Sequence, residues 1–409
     1  MAGSKVRMID LAIVGGGAAG IAAAREARER GLTAIILEAS DRIGGRAHTI
    51  DWQGQKLDLG ATWIHSAARN PLARLAEDNG VAVDQSPMSW RQQYKNLGYS
   101  PEQQAASWAA LDAFMARLRA GPTDDRASNA LEPGNEWNGF LEAMNGYLNG
   151  TSLAKTSAAD FVAFWDGSES HNWRLPGGYG ALVAGLANGL DVRTGCLVAR
   201  VDWSGEGVRL HSAQGVVEAR KAVIVIPTEM LAAGKIAFSP ALDDYLHAAA
   251  QLPLGTVEKL FLQLEDPDSA PNNVHLAGNP HSAESGSYML RPMGMPVVEC
   301  FYGGDWLLGL NADDLAARAR DELGHLLGGD FARRLEPIIY SDWQRHPFIC
   351  GSYSYAVPGQ HGARAALRAR VDGPIAFAGE ALSDEDYATV HAAWASGIAA
   401  VEQLFGSGT

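Results

Sequence analysis

Residues 13–39 read IVGGGAAGIAAAREARERGLTAIILEA, and the fold turns on this stretch. Leu11 to Val14 form a short apolar run, as expected of a parallel strand covered on both faces. Gly15, Gly17 and Gly20 follow at G-x-G-x-x-G spacing. The first permits a tight turn, the second lets backbone approach a pyrophosphate, and the third lets a helix pack close to the strand. Ile21 to Arg30 is rich in Ala, Arg and Glu, a helix-forming composition, and Gly31 fits just past its end. The helix N-terminus offers free N–H groups and partial positive charge to phosphate. Ala34 to Leu37 is the second strand, and Glu38 stands where a carboxylate accepts from ribose hydroxyls. Such a cradle serves NAD and FAD alike. An acid at position 38 disfavours NADP, whose extra phosphate meets a like charge.

The remaining chain bounds what this cradle serves. With 409 residues it exceeds one ordinary core, so two domains are expected. Cys196, Cys300 and Cys350 are widely spaced and odd in number, which points to reduced thiols and a cytoplasmic setting. No apolar run reaches the length of a membrane span, and no signal-peptide core precedes the first strand. The net charge of −14 disfavours nucleic acid and anionic membranes as partners. There is no C-x-x-C, H-E-x-x-H or G-x-S-x-G, so neither a zinc site nor a hydrolase elbow is expected.

Helix and strand patterns alternate along the chain. Glu102–Leu118 is a helical patch, and a helix followed by strands is expected after residue 174, with Gly189 near the helix end. Ala222–Ile226 is a strand stopped by Pro227. GTVEKLFLQLED, from Gly255, has the pattern of an alternating strand with Val257, Leu260, Leu262 and Leu264 among its apolar members. Asp313–Leu327 is an amphipathic helix, and Thr389–Leu404 a terminal one. The expected class is α/β, in an α+β two-domain arrangement. A Rossmann-like domain is built from three discontinuous segments, residues 1–80, 175–251 and 345–409. A second domain with mixed sheet and helices is inserted twice, as residues 81–174 and 252–344.

Directly after Glu38 comes DRIGGRAHT, in which Arg42 and Arg46 flank Gly44 and Gly45. Arginines beside a glycine turn can meet phosphate through forked charge-assisted bonds. With the cradle, this turn moves the expectation from NAD toward FAD. Four stretches then carry a resemblance that spans nearly the whole chain. They are the cradle with EASDRIGGRAHT, LDLGATWIHSAARNPLARLAEDNGV, WQRHPFICGSYSYAVPG, and IAFAGEALSDEDYATVHAAWASGIAAVEQL. In these the chain resembles the flavin amine oxidase family, which includes monoamine oxidases, polyamine oxidases and histone lysine demethylases. Its motifs are nearest the polyamine oxidase branch. Residues from about 85 to 170 match little.

The resemblance implies FAD across the three nucleotide segments, with the inserted segments forming the substrate domain. It places Gly15, Gly17, Gly20 and Glu38 at the adenosine half, Arg42, Gly45 and Arg46 near the phosphates, and Val198 beside adenine. Gly60, Ala61, Thr62 and Trp63 bring backbone to the flavin ring. Gly379 and Glu380 lie near the ribityl and pyrophosphate oxygens, and Thr389 and Val390 at the flavin carbonyl. Lys259 matches the family lysine that holds a water against flavin N5. Trp343 matches a tryptophan packed by the flavin, and Tyr353 an aromatic on its substrate side. Thr389 replaces the second cage tyrosine of monoamine oxidases, His65 stands where it can contact substrate, and Ala392 replaces the usual glycine. Ser352 stands where monoamine oxidases carry the cysteine that links to flavin, which implies non-covalent FAD, and Cys350 is two residues away.

The activity so implied is oxidation of a C–N bond of a polyamine or other alkyl amine, by hydride transfer to flavin N5. Reoxidation by O2 gives H2O2, and hydrolysis of the imine gives an aldehyde. The expected partners are a small-molecule amine and O2, with the chain as monomer or homodimer. Two alternatives stay open at this point. One is a flavin dehydrogenase or desaturase acting on an amino-acid derivative or a carbon skeleton. The other is a non-enzymatic flavin-binding protein.

Overall fold

The protein is described here by a computed structural model covering residues 8–406. Ile9–Val14 lies inside an eight-stranded sheet, parallel to Ala34–Leu37 on one side and to Gly215–Ile224 on the other. Ile375–Phe377 pairs in parallel with Gly215–Ile224, and Val192–Arg193 with Ala34–Leu37. Alternate residues of the first strand serve two cores, because successive side chains point to opposite faces. Leu11 and Ile13 pack with Ile21, Ala24 and Val401, whereas Ala12 and Val14 pack with Val201, Leu210 and Leu367. The helices Ala18–Glu29 and Val390–Phe405 cover the first of these faces. That two-sided burial explains the unbroken apolar run at Leu11–Val14.

A second sheet has five strands, in the order Val274–Ala277, Ser287–Leu290, Val297–Gly303, Val257–Leu264 and Leu335–Tyr340. Every ladder in it is antiparallel. The mixed ladders expected of the inserted part lie instead in the larger sheet, where Val198–Asp202, Val208–Ser212 and Gly215–Ile224 form an antiparallel meander. Short loops account for the two ladders that join Val274–Ala277, Ser287–Leu290 and Val297–Gly303 in succession, since parallel neighbours need a long crossover. Helix Ala312–Leu327 covers one face of the second sheet through Leu315, Ala319 and Leu323. Its start is set by Asn311 and Asp314, which cap each other's backbone.

Val257–Leu264 departs from the alternating expectation. All its residues except Gln263 are buried, including Glu258 and Lys259. Leu260 and Leu262 face the helix-covered core, and Phe261 joins Leu57, Val297 and Trp343 on the other side. Neither face meets solvent, so alternation in sequence does not become alternation in exposure. The strand expected at Ala222–Ile226 runs Gly215–Ile224, and the terminal helix begins at Val390 with Thr389 as its cap. The helix expected to end near Gly189 spans Tyr179–Gly185, and Gly189 belongs to the turn beyond it.

Helices Pro101–Arg119, Asn138–Asn149 and Ala158–Gly167 form a further apolar cluster around Phe114, Leu141 and Phe161. Among the described residues no helix is long and apolar enough to cross a membrane.

Candidate functional site: a cavity joining the glycine turn to Lys259

The turn after Ile9–Val14 is built by backbone that tolerates no side chain. Gly15 has φ +109°, and a Cβ there would lie 2.0 Å from the carbonyl oxygen of Val225. A Cβ on Gly20 would lie 2.0 Å from the carbonyl oxygen of Gly15, so Gly20 serves helix packing and does not line the cavity. Glu38 closes the turn by accepting from the Gly16 N–H at 2.6 Å and the Ser40 N–H at 2.7 Å. Helix Ala18–Glu29 has neither a side-chain cap nor an acid in its first turn. Its orphan N–H groups and positive end are therefore left for an anion. The second glycine turn packs on the first, with the Gly44 N–H donating to the Gly16 carbonyl at 2.8 Å.

A continuous cavity of about 1170 Å³ begins at this turn. Gly15, Gly17, Glu38 and Val198 line one end, and Trp63, Lys259, Trp343 and Tyr353 line the other. Single-ligand pockets span roughly 300–1,000 Å³, so a dinucleotide and a small second molecule fit this space together. The uncapped helix end supplies the anion site such a dinucleotide needs.

Of the two arginines expected at phosphates, Arg46 lines the cavity and Arg42 does not. Arg42 donates to the Gly45 carbonyl at 2.8 Å and sits over the Trp343 ring, which makes it a brace for the turn. Arg46 donates to Glu380 Oε1 at 3.0 Å and to the Ser352 carbonyl. Glu380 also accepts from the Ser354 N–H and hydroxyl and from the Ala388 N–H. Burial works to raise its pKa, but Arg46 and Arg364 together with these donors hold the carboxyl below its ordinary value. Gly60, Ala61, Thr62, Gly379 and Val390 also reach the cavity wall.

Lys259 is the cation at the far end, 6% exposed. Its Nζ donates to the Asp58 carbonyl at 3.1 Å and to the Thr62 hydroxyl, and pairs with Glu299 Oε1 at 3.0 Å. All three of its donors thus have protein partners, so any hold on a water passes through Thr62, which lines the cavity. Trp343 donates its indole N–H to the Leu59 carbonyl at 3.2 Å. Its backbone N–H meets Glu258, whose carboxyl burial lifts to about 6. The Tyr353 hydroxyl donates to the Tyr147 carbonyl, and burial pushes the phenol above its ordinary value.

His65 lines the cavity, with Nδ1 at 2.8 Å from Asn172 Oδ1, and burial lowers its pKa to about 4. Thr389 caps the terminal helix by accepting from the Ala392 N–H at 3.2 Å, and the alanine fits there without displacing this contact. Ser352 lines the cavity and donates to the Gly255 carbonyl, whereas the Cys350 thiol lies beside Met230 Sδ, outside the lining.

Glu299 was not read from the sequence, although an acid within VVECFY carried the same signal as Lys259, a charge among apolar neighbours. Asp160 and Arg364 were missed too. They form a fully buried bidentate pair at 2.7 and 2.8 Å, and Arg364 also donates to Ser354, which holds Glu380.

A family model described as flavin containing amine oxidoreductase matches residues 18–132 and 102–405. Polyamine oxidase 2 of Arabidopsis thaliana is 29% identical, over 97% of this chain and 88% of its own. Polyamine oxidase 3 of Oryza sativa subsp. japonica is 30% identical over 96% and 88% respectively. A solved structure of putrescine oxidase bound to putrescine superposes with a TM-score of 0.79 at 20% identity, covering 98% of this chain and 99% of that one.

Proposed function

The chain belongs to the flavin containing amine oxidoreductase family, and from that premise we propose that it oxidises a C–N bond of a small alkyl amine. The cofactor is FAD and the enzyme an oxidoreductase acting on amines. When bound, FAD would supply the hydride acceptor and the route of the electrons to O2, which would give H2O2, and the imine would be hydrolysed to an aldehyde. In this reading residues 1–80, 175–251 and 345–409 hold the cofactor, and residues 81–174 and 252–344 shape the substrate side. What supports the division is that the strands of the larger sheet fall in the first set and those of the second sheet in the other. Residues 1–7 and 407–409 lie outside the described structure.

The uncapped helix end at Gly17 and Arg46 would hold the pyrophosphate, Glu38 and Val198 the adenosine half, and Gly60–Trp63 with Val390 the ring end. Glu380 positions Arg46 through their 3.0 Å contact. Non-covalent attachment follows from Ser352 at the linking position.

The chain's own residues then have three tasks. Aromatic walls, among them Trp343 and Tyr353, exclude water and align the amine. His65 orients it: Nδ1–H donates to Asn172, which leaves the Nε2 lone pair to accept from a substrate N–H. A pKa of about 4 keeps this imidazole neutral, so it does not repel an ammonium. Lys259 sets a positive charge where reduced oxygen species gather negative charge. A cytoplasmic setting is proposed on the three free cysteines.

The observation that carries the reading is the buried Lys259 facing the same cavity as the glycine turn. Anaerobic mixing of the FAD-loaded protein with an amine panel is expected to bleach the flavin, and admitted oxygen to restore it with one H2O2 per turnover. A flavin that no amine bleaches would refute the proposal. Acid precipitation should release the flavin to the supernatant; flavin retained in the pellet would overturn non-covalent binding.

A further inference from the structure

A second ammonium on a substrate needs a carboxylate or several carbonyl acceptors once it leaves water. Among the described residues lining the cavity, every carboxylate is already engaged. Glu299 pairs with Lys259 at 3.0 Å, and Glu380 with Arg46 at 3.0 Å. Asp386 lies 2.5 Å from Arg69 and 3.2 Å from His391, and Glu169 lies 3.4 Å from the same Arg69, so this cluster carries one carboxylate in excess of its arginine, with the Glu169 side chain 40% exposed to solvent. Glu38 belongs to the glycine turn and spends its oxygens on backbone N–H groups.

Two of the lining amides are engaged as well. The Gln93 carbonyl accepts from the Ala277 N–H at 2.8 Å, and that of Gln104 from the Gln93 N–H at 3.2 Å. Two aromatic faces able to hold a cation already carry one. Arg91 sits 4.8 Å over Trp108, and Arg174 4.6 Å over Trp63. Apart from neutral polar side chains such as Ser282, Ser285 and Ser287, much of the remaining wall on the substrate side is apolar and aromatic: Phe140, Met144, Leu148, Phe164, Trp165 and Phe301.

We infer that the substrate carries one amine on a hydrophobic body, an arylalkyl, alicyclic or medium-chain alkyl monoamine, and not a polyamine. The inference rests on the amine-oxidase reading above. It separates this chain's pocket from the activity named in its polyamine oxidase relatives. The amine end meets His65 and Tyr353, and the body fills the space against Phe140, Phe164 and Phe301. A polyamine entering the aromatic part of this space would bury an ammonium where no carboxylate lacks a partner, while a hydrophobic tail would gain about 0.8 kcal/mol for each CH2 taken out of water.

The test uses the FAD-loaded full chain and measures kcat/KM by oxygen consumption, with anaerobic flavin bleaching in parallel. The probes are 2-phenylethylamine, cyclohexylamine and hexylamine, against putrescine, spermidine and spermine. At least one monoamine is expected to exceed every polyamine by about 100-fold or more, the scale set by leaving a charge unpaired in a desolvated site. A polyamine that equals or exceeds the best monoamine would overturn the inference and leave amine oxidation standing. If none of the six bleaches the flavin, amine oxidation itself fails and this inference falls with it.

Discussion

Replacing Lys259 with Met probes the ammonium with little change of shape. Both side chains are unbranched, so the packing cost stays within about 1.5 kcal/mol. The larger effect is electrostatic. Lys259 loses its contacts with the Asp58 carbonyl, the Thr62 hydroxyl and Glu299, and the last of these is left 12% exposed without its cation. Removing one member of a buried pair costs about 3–5 kcal/mol. The residual exposure of Glu299 places the loss here near the lower end, about 3 kcal/mol. Activity should divide between the two half-reactions. Reoxidation by O2 should fall about 10²–10³-fold, or roughly 2.7–4 kcal/mol, the scale of one lost positioned donor. Anaerobic reduction by amine should fall less than about 10-fold, because hydride leaves carbon without needing this charge.

The double variant Lys259→Met/Glu299→Met separates stability from chemistry. With both charges gone it should recover most of the lost stability and none of the oxygen reactivity. Stopped-flow absorbance reads both half-reactions, and urea unfolding of the flavin-loaded protein reads stability. If Lys259→Met keeps its flavin and reoxidises within about 3-fold of wild type, the role assigned to the ammonium is wrong.

Other perturbations test the frame around this cation. Gly15→Ala should yield protein nearly free of flavin: the φ of +109° costs about 1–2 kcal/mol for a side chain, before the overlap with the Val225 carbonyl is relieved. A normal flavin-to-protein ratio would contradict the cradle assignment. Arg364→Met should destabilise by about 3–5 kcal/mol in urea unfolding, because Asp160 stays buried and unpaired, and a loss below 1 kcal/mol would show the pair to be dispensable. Burial of His275, 8% exposed, lowers its pKa to about 4 from 6.5, so the folded form binds fewer protons than the unfolded chain between these values. Its contribution is complete above pH 6.5 and is lost as pH falls toward 4, about 3 kcal/mol in all. His275→Asn should make that acid limb shallower, with His65 keeping its own share, and an unchanged slope would refute the assignment.

Much of the cofactor half was legible in the sequence because its determinants are local. Gly15, Gly17 and Gly20 answer to backbone geometry within a single turn, and the run Leu11–Val14 to burial on both faces of one strand. The charge of Lys259 among apolar neighbours is likewise a property of one segment. These patterns need no knowledge of distant residues, so the order of strand, helix and strand and the position of the lysine could be read directly.

Tertiary structure alone decided what those residues touch. Glu299 meets Lys259 only because Val297–Gly303 pairs with Val257–Leu264 in one antiparallel register, which sets Glu299 opposite Phe261. Arg42 braces its own turn and Arg46 enters the cavity, although both flank the same two glycines. Asp160 and Arg364, 204 residues apart, join because burying either charge alone is costly, and that constraint leaves no periodic trace in the chain. The engagement of every wall carboxylate among the described residues, on which the choice between monoamine and polyamine rests, is of the same kind. Charge placement along a sequence is local, but charge neutralisation is a property of space.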